Sequence, residues 1–561
     1  MADGNLVSRI YYGFRGVDFR GEEINLVRSP DSLNVWKDYK ETDSIRTRPA
    51  MEMFKSFTEP VYGIFFFNSG SSDMMIVHSG AKLYKVVNGE KTELYSGVNT
   101  ARSESFVYNS TWYFKDGLNY LQYDGHTIKE VEGYVPTTTI GRKPSGGGTP
   151  HEDINLLTGK RKNTFLADGE SKDFMLDAQD IDSEFKPIVR VNDTEVTDFT
   201  VDYKEGKISF TVAPEKPLTD GQDNVSVEFK KDVDGYADRI KKCTLLQVFD
   251  NRVFFSGNKD FPNVIYHCSL NDPGYCSDLD YYNEGLDNAL VKGLVAGNNV
   301  LWVFKEPSQA DTTVFYHNPT IDSEYGKIYP STHSSISTGC VGRAINFNDD
   351  IVFFSARGME GISGDITTEQ AVAHRSSLVD RKLIAEPNYK DMVLEEWEGY
   401  LIAFIDNKAY LADSRAMFTD VGHAEYEWYY WSFDKSITCA KVYNGVLYLG
   451  TSDGVYTLTD TKSPLKSWWT TPKDKFKNPQ RLKTTNKRGC VVEATGDVSV
   501  YAKTDKTDFE LIGVYGDVDD YLVSRIKRKK FKDIQLKFYS ETRFSLETAT
   551  LECFIGGYLK R

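Results

Sequence analysis

The stretch KSITCAKVYNGVLYLGTSDGVYTLTD, residues 435–460, decides how the chain is read. Ala440-Lys441-Val442-Tyr443 runs into Asn444-Gly445, and Val446-Leu447-Tyr448-Leu449 follows. Ser452-Asp453-Gly454 then turns the chain into Val455-Tyr456-Thr457-Leu458. Asn-Gly between apolar runs marks a hairpin, because both central residues of a type I′ turn take positive φ. A lone three-strand meander cannot bury both faces, so it needs neighbours of its own kind.

Copies of the plan recur. Asp391–Arg415 repeats it around Glu398-Gly399, Gly342–Asp365 around Asn348-Asp349, Leu294–Tyr316 around Asn298-Asn299, and Leu245–His267 around Asn251-Arg252. Ser105–Tyr123 turns at Asn109-Ser110, and a first copy, Val61–Val87, turns within 68–73. From Asn251 to Asn444 the turns are about 46–50 residues apart, the period of a propeller blade. About seven copies fit. The expected fold is all-β: a β-propeller of about seven blades with an inserted β-sandwich and a C-terminal β platform domain. A plain hairpin-rich sandwich is the alternative, and it does not explain the regular spacing.

Working outward from the blades, the expected units are a strap or interface segment at 1–55, propeller at 56–140 and 238–462, an inserted sandwich at 141–237, and the platform at 463–561. The first fifty residues are polar, turn-rich and arginine-studded. They read either as a strap that closes the propeller ring or as an interface. In the second case Arg20, Arg28, Arg46 and Arg48 pair with carboxylates of a neighbouring subunit. The insertion opens on Pro144-Ser145-Gly146-Gly147-Gly148-Thr149-Pro150, a linker composition, and continues in alternating strands such as Ile208–Val212 and Val225–Phe229. The segment 473–488 reads as a basic loop leading into the period-two strands of the platform.

With 561 residues, two or more domains are expected. A net charge of −15 disfavours a general nucleic-acid coat, yet suits walls that must not stick to phosphates. The 7 scattered cysteines with no CxxC read as reduced core residues of a protein made in a cytosol. No secretory signal is visible, and no apolar run approaches the ~20 residues of a membrane helix.

Signatures of catalysis are lacking: no GxSxG, HExxH, GxGxxG or Walker loop, and no metal-ligand spacing among the 8 histidines. The chain is therefore expected not to be an enzyme and to need neither metal nor cofactor. The acid pairs Asp278/Asp280, Asp349/Asp350 and Asp519/Asp520 sit where turns recruit Asp. The run Tyr426-Glu427-Trp428-Tyr429-Tyr430-Trp431 is either a sugar-stacking platform or a blade strand with rings packed between blades. Lys527, Arg528, Lys529 and Lys530 form the dense basic cluster of an acidic chain. They are candidates for contact with DNA or an acidic partner, against the reading of a solvated loop.

The opening and the domain order resemble the nozzle proteins of short-tailed phages, also called tail tubular protein B, and more loosely the packaged-DNA stabilisation proteins. The resemblance lies in 16–49: a turn, the Pro30-Asp31 pair, Asn34 a few residues on, and Arg48-Pro49 about a dozen later. It implies a structural virion protein, made in the host cytoplasm and built into the tail. Its expected partners are further copies of itself in a ring, a hexamer by analogy with that family, the portal, adaptor and other tail proteins, and genomic DNA passing through the channel. Arg28, Pro30, Asp31, Asn34, Arg48 and Pro49 are then expected at the subunit interface. The competing reading is a carbohydrate-binding propeller, receptor-binding or glycosidase.

Overall fold

Five blades form from consecutive strands, another admits the hairpin of Thr320–Asp322 and Gly326–Ile328 before its outer strand Ser331–His333, and the seventh draws on two distant parts of the chain. The computed structural model describes residues 5–21, 24–40, 44–70, 73–323, 326–362, 371–420, 423–461, 463–515, 520–524 and 530–558. Blade one begins with Val61–Asn68, blade two with Glu104–Tyr108, blade three with Leu245–Phe249 and blade four with Val291–Gly297. Blades five, six and seven begin with Cys340–Phe347, Val393–Trp397 and Cys439–Tyr443. Each blade is a four-stranded antiparallel sheet. In blade seven the strands Cys439–Tyr443, Val446–Gly450 and Gly454–Thr459 receive Ala50–Ser56 as the outer strand, which closes the ring. This is the strap reading of the N-terminal segment.

The turn chemistry behaves as its residues dictate. Between first and second strands the two turn residues both have positive φ: Asn444 at 49° with Gly445 at 78°, Asn348 at 51° with Asp349 at 65°, Asn298 at 54° with Asn299 at 59°. Asn and Asp tolerate this conformation better than other residues with a Cβ, so degenerate turns keep one geometry.

The inserted unit spans Thr137–Arg142 to Val225–Lys230 and stacks two sheets over a core containing Phe165, Phe174, Val189 and Val227. It is not purely antiparallel: Thr137–Arg142 runs parallel to Lys160–Phe165. The C-terminal unit is also a sandwich. Its first sheet has Phe544–Tyr558 flanked by Arg481–Gly496 on one side and by Leu6–Tyr11 and Ile45–Thr47 on the other. Its second sheet orders Ser32–Leu33, Ser467–Thr470, Ile534–Ser540, Val498–Thr504 and Thr507–Tyr515.

Two expectations change here. The segment 473–488 is not all loop, because Arg481–Gly496 is one long strand. Its polar residues hide the pattern: Lys483 and Thr485 point inward and are buried, and the Lys483 ammonium donates to Lys532 O at 2.7 Å. The first fifty residues are also no separate unit, since their strands complete the C-terminal sandwich and blade seven. One core runs through both units, from Tyr400, Leu411 and Leu449 of the propeller to Trp469, Val492 and Leu551 of the sandwich.

Candidate functional site

Two regions gather charge: the joint between the strap and blade six, and the propeller axis. At the joint, Gly16 lies against the Trp428 carbonyl with φ of 111°, and a Cβ there would sit 2.1 Å from that oxygen. This close approach lets Val17 N donate to Trp428 O at 2.7 Å. The neighbouring strands Lys408–Asp420 and His423–Ser432 place Asp413 directly opposite Glu427, both with fully buried carboxylates. Two like charges in register are unfavourable unless compensated. The strap supplies the compensation. Arg28 donates twice to Glu427, at 2.9 and 2.7 Å, and stacks 4.1 Å over the Phe418 ring. Tyr39 OH donates to Asp413 at 2.5 Å, and Arg415 reaches it at 3.3 Å. Burial pushes the Glu427 carboxyl above its usual range, and the Arg28 guanidinium opposes that shift.

A second knot forms around Asn34, whose φ of 57° turns the chain between two short strands. Its Oδ1 accepts from Arg48 Nε at 3.0 Å and Ser432 N at 2.8 Å, while its Nδ2 donates to Lys466 O at 2.9 Å. Arg48 also donates to the carbonyls of Ser432 and Pro49, both at 2.7 Å. Burial lowers the Arg48 guanidinium to about 9. Trp36 beside it stacks on Trp397 at 5.3 Å and meets Trp431 edge-on at 5.7 Å.

These contacts correct the interface expectation. Arg28, Asn34, Arg48 and Pro49 are buried against their own chain and pair within it. Arg20 and Arg46 likewise pair internally, with Asp18 at 2.9 Å and Asp38 at 3.2 Å. Pro30 and Asp31 are half-buried, and Asp31 lies 3.7 Å from Lys537 of the sandwich. The structure does bring the six residues together, but at a joint inside one molecule. Of the basic cluster, Lys527, Arg528 and Lys529 lie outside the described residues. Lys530 is exposed at the start of the short strand Lys530–Phe531, which pairs with Lys483-Thr484.

The propeller axis holds a cavity of about 870 Å³ lined by the first strands of all seven blades. Side chains cross it. Arg343 of blade five meets Glu104 of blade two at 3.5 Å. Arg102 donates to Thr438 O at 3.0 Å, to Met392 O at 2.9 Å and to Asp391 O, tying blade two to the starts of blades six and seven. Burial pushes the Glu104 and Glu395 carboxyls up, opposed by Arg343 and Lys441 respectively. Sequence reading missed this set because the charges are spread over the starts of different blades and look like solvent-facing positions. Only ring closure makes them neighbours.

The remaining candidates resolve into packing. Trp428 and Trp431 are fully buried, with indole N–H groups donating to Arg375 O at 3.1 Å and Val35 O at 3.3 Å. The aromatic run is therefore a blade strand and presents no sugar platform. Asp350 pairs with Arg375 at 2.8 Å, while burial raises Asp280 to about 6. All seven cysteines are buried and unbridged, and burial pushes Cys243, Cys268, Cys340, Cys439, Cys490 and Cys553 up to about 12. Among the described residues no His, Cys, Asp and Glu side chains cluster as metal ligands, and no helix is long and apolar enough to cross a membrane.

The sheets define a seven-bladed β-propeller carrying two sandwiches. No family model matches the chain. No curated protein matches it. Among solved structures it is similar to BamB from Moraxella catarrhalis, at 11% identity over 74% of this chain and 98% of that one, with a TM-score of 0.33. It is also similar to the computationally designed Ika8 protein, at 9% identity over 72% and 98%, TM-score 0.31. An exo-β-1,3-galactanase from Phanerochaete chrysosporium gives 8% identity over 55% and 94%, TM-score 0.22. The fold itself rests on the seven four-stranded sheets.

Proposed function

We propose that this chain is a structural subunit of a short-tailed phage tail, a nozzle or head–tail connector. It assembles as a ring that extends the DNA channel, retains the packaged genome and passes DNA at ejection. The observation that carries this reading is the position of the residues in which the chain resembles the nozzle family. Pro30-Asp31, Asn34 and Arg48-Pro49 lie at the joint that fixes the C-terminal sandwich on blades six and seven. A short pattern held at such a joint encodes a domain arrangement, and that arrangement is what the resemblance implies.

Two further points support it. The propeller axis is bridged by Arg102 and by the Arg343–Glu104 pair, so a duplex would have to pass between subunits rather than through a propeller. A net charge of −15 lets a channel wall repel phosphate instead of gripping it. In this reading the protein is made in the host cytoplasm, works in the virion tail, meets portal and adaptor rings, and has a scaffolding role that uses no cofactor and no catalytic group.

The test is the native mass of the full chain, with negative-stain images, alone and with portal and adaptor. A ring with a central hole, formed alone or on those partners, is the expected result. A monomer at every concentration and with both partners would sink the proposal.

A further inference from the structure

Among the described edge strands of the C-terminal sandwich are Leu6–Tyr11 and Thr507–Tyr515. Leu6–Tyr11 pairs only with Phe544–Tyr558 among the described strands, and Thr507–Tyr515 pairs only with Val498–Thr504. They lie at opposite sides of the sandwich. On the first side Thr47 Oγ1 meets Ser467 Oγ at 2.9 Å, joining the two sheets beside the strap. On the second side Thr507–Tyr515 lies beside Asp520–Ser524 of the other sheet.

Both edges carry large apolar side chains in water. Leu6 is 51% exposed, Ile10 54% and Tyr12 64%, while Val7 and Tyr11 of the same segment turn inward to the core. On the other edge Leu511 is 53% exposed and Val514 65%. Long open edges with outward apolar residues invite strand addition, and natural sheets usually blunt them with charge, Pro or a bulge. Neither strand contains Pro or Lys; Leu6–Tyr11 pairs without a register shift and its one charge, Arg9, is held by Asp474 at 2.7 Å, while Thr507–Tyr515 has two register shifts against Val498–Thr504.

The charges differ in sign. Ile10 and Tyr12 border a groove of about 830 Å³ that Arg9, Arg15, Lys37 and a single acid, Glu547, also line. Arg15 shares Glu427 with Arg28, at 4.0 Å against 2.7 Å, so two guanidiniums face one carboxylate there. Thr507–Tyr515 carries Asp508 and Glu510 and no cation. The Asp508 side chain is 99% exposed and lies 3.4 Å from Lys503 of the neighbouring strand.

We infer that the edge Leu6–Tyr11 of one molecule receives the edge Thr507–Tyr515 of a second copy. The sandwiches would then join head to tail into a continuous wall. Two different, complementary patches on opposite sides of one domain make a heterologous contact, which closes into a ring when the rotation permits. Backbone pairing supplies affinity, and the outward Leu, Ile and Val residues supply register. This inference rests on the ring reading and names its interface. It also moves that interface from the expected arginines to strands whose side chains face solvent.

The experiment uses the full chain and two exposed-site variants, Ile10→Asp and Leu511→Asp, each checked for an unchanged melting temperature. Leu6→Asp and Val514→Asp form a second pair should either of the first misfold. Sedimentation velocity and native mass are read at rising concentration. The wild-type chain assembles, and each variant stays monomeric to at least about tenfold higher concentration. An equimolar mixture of the two variants stops at a dimer, because only one intact edge of each kind remains. Variants that assemble like wild type, or a mixture that stays monomeric, overturn the contact while a wild-type ring keeps the functional reading. A wild-type chain that never assembles, even with portal and adaptor, overturns both.

Discussion

Both sandwiches are fastened to the propeller through a buried asparagine, yet they are fastened differently. At the strap, Asn34 ties Arg48 and Ser432 to Lys466, and around it lie a buried ion pair, a tryptophan cluster and a core that passes without a break into the sandwich. At the insertion, Asn155 donates to Tyr134 O at 2.9 Å and Gly274 O at 2.8 Å and accepts from Cys276 N at 3.1 Å. Beside it Leu156 enters the core of blade three and Leu157 and Tyr236 pack against it, while the inserted sandwich keeps a core of its own. Hydrogen bonds alone define where a module sits, whereas a shared core makes two modules unfold together. The C-terminal sandwich is thus part of the propeller's cooperative unit, and the insertion is an attached module.

The largest effect that would break this contrast is expected from Trp431→Ala. The indole is fully buried between Trp36, Trp397 and Phe433, so its loss should cost about 4 kcal/mol. Urea unfolding should show propeller and C-terminal sandwich shifting in one transition. Two separate transitions would mean that the core is not shared.

Arg28→Ala comes next, at about 3 kcal/mol, because it leaves Glu427 buried with only Arg15 at 4.0 Å. Replacing both partners, Arg28→Met with Glu427→Leu, should recover most of that loss, which calorimetry can read. The pH dependence sharpens the point. Burial raises the folded-state pKa of Glu427 above its unfolded value, so folding favours the protonated acid and this group's contribution falls as pH rises through that window. Removing Arg28 widens the window upward. The deficit of Arg28→Ala should therefore shrink as pH is lowered from 7 toward 4.5 and should be largest at neutral pH. A deficit that does not change with pH would place the effect in packing over Phe418 rather than in charge.

The smallest expected effect is that of Phe174→Ala on the propeller. It should destabilise the insertion, whose core it helps to fill, and shift the propeller transition by less than about 0.5 kcal/mol. A larger shift would make the insertion a part of the main unit.

The blades were legible because hairpin chemistry is local: Asn or Asp at positive φ, flanked by alternating apolar residues, writes the same turn each time. The strap's role in ring closure was one of two readings that its sequence permits, and pairing of Ala50–Ser56 with Gly454–Thr459 selects it. The arginines misled because a buried guanidinium and a surface one have the same local pattern. Only the tertiary position of Glu427 and of the Ser432 carbonyl tells them apart. Arg481–Gly496 was hidden for a similar reason, since Lys483 and Thr485 take inward places that sequence patterns assign to apolar residues. The axial charges could not be read at all without the ring that brings them together.

Native-state hydrogen exchange followed by mass spectrometry tests the central claim most directly, which is that the N-terminal segment is an internal lock. The account predicts that the amides of Ile45–Thr47 and Ala50–Ser56 open with the same free energy as blades six and seven, while those of Lys160–Phe165 and Val225–Lys230 open independently. Fast exchange of Ile45–Thr47 and Ala50–Ser56 in the monomer, slowed only on assembly, would contradict it and return the strap to the subunit interface.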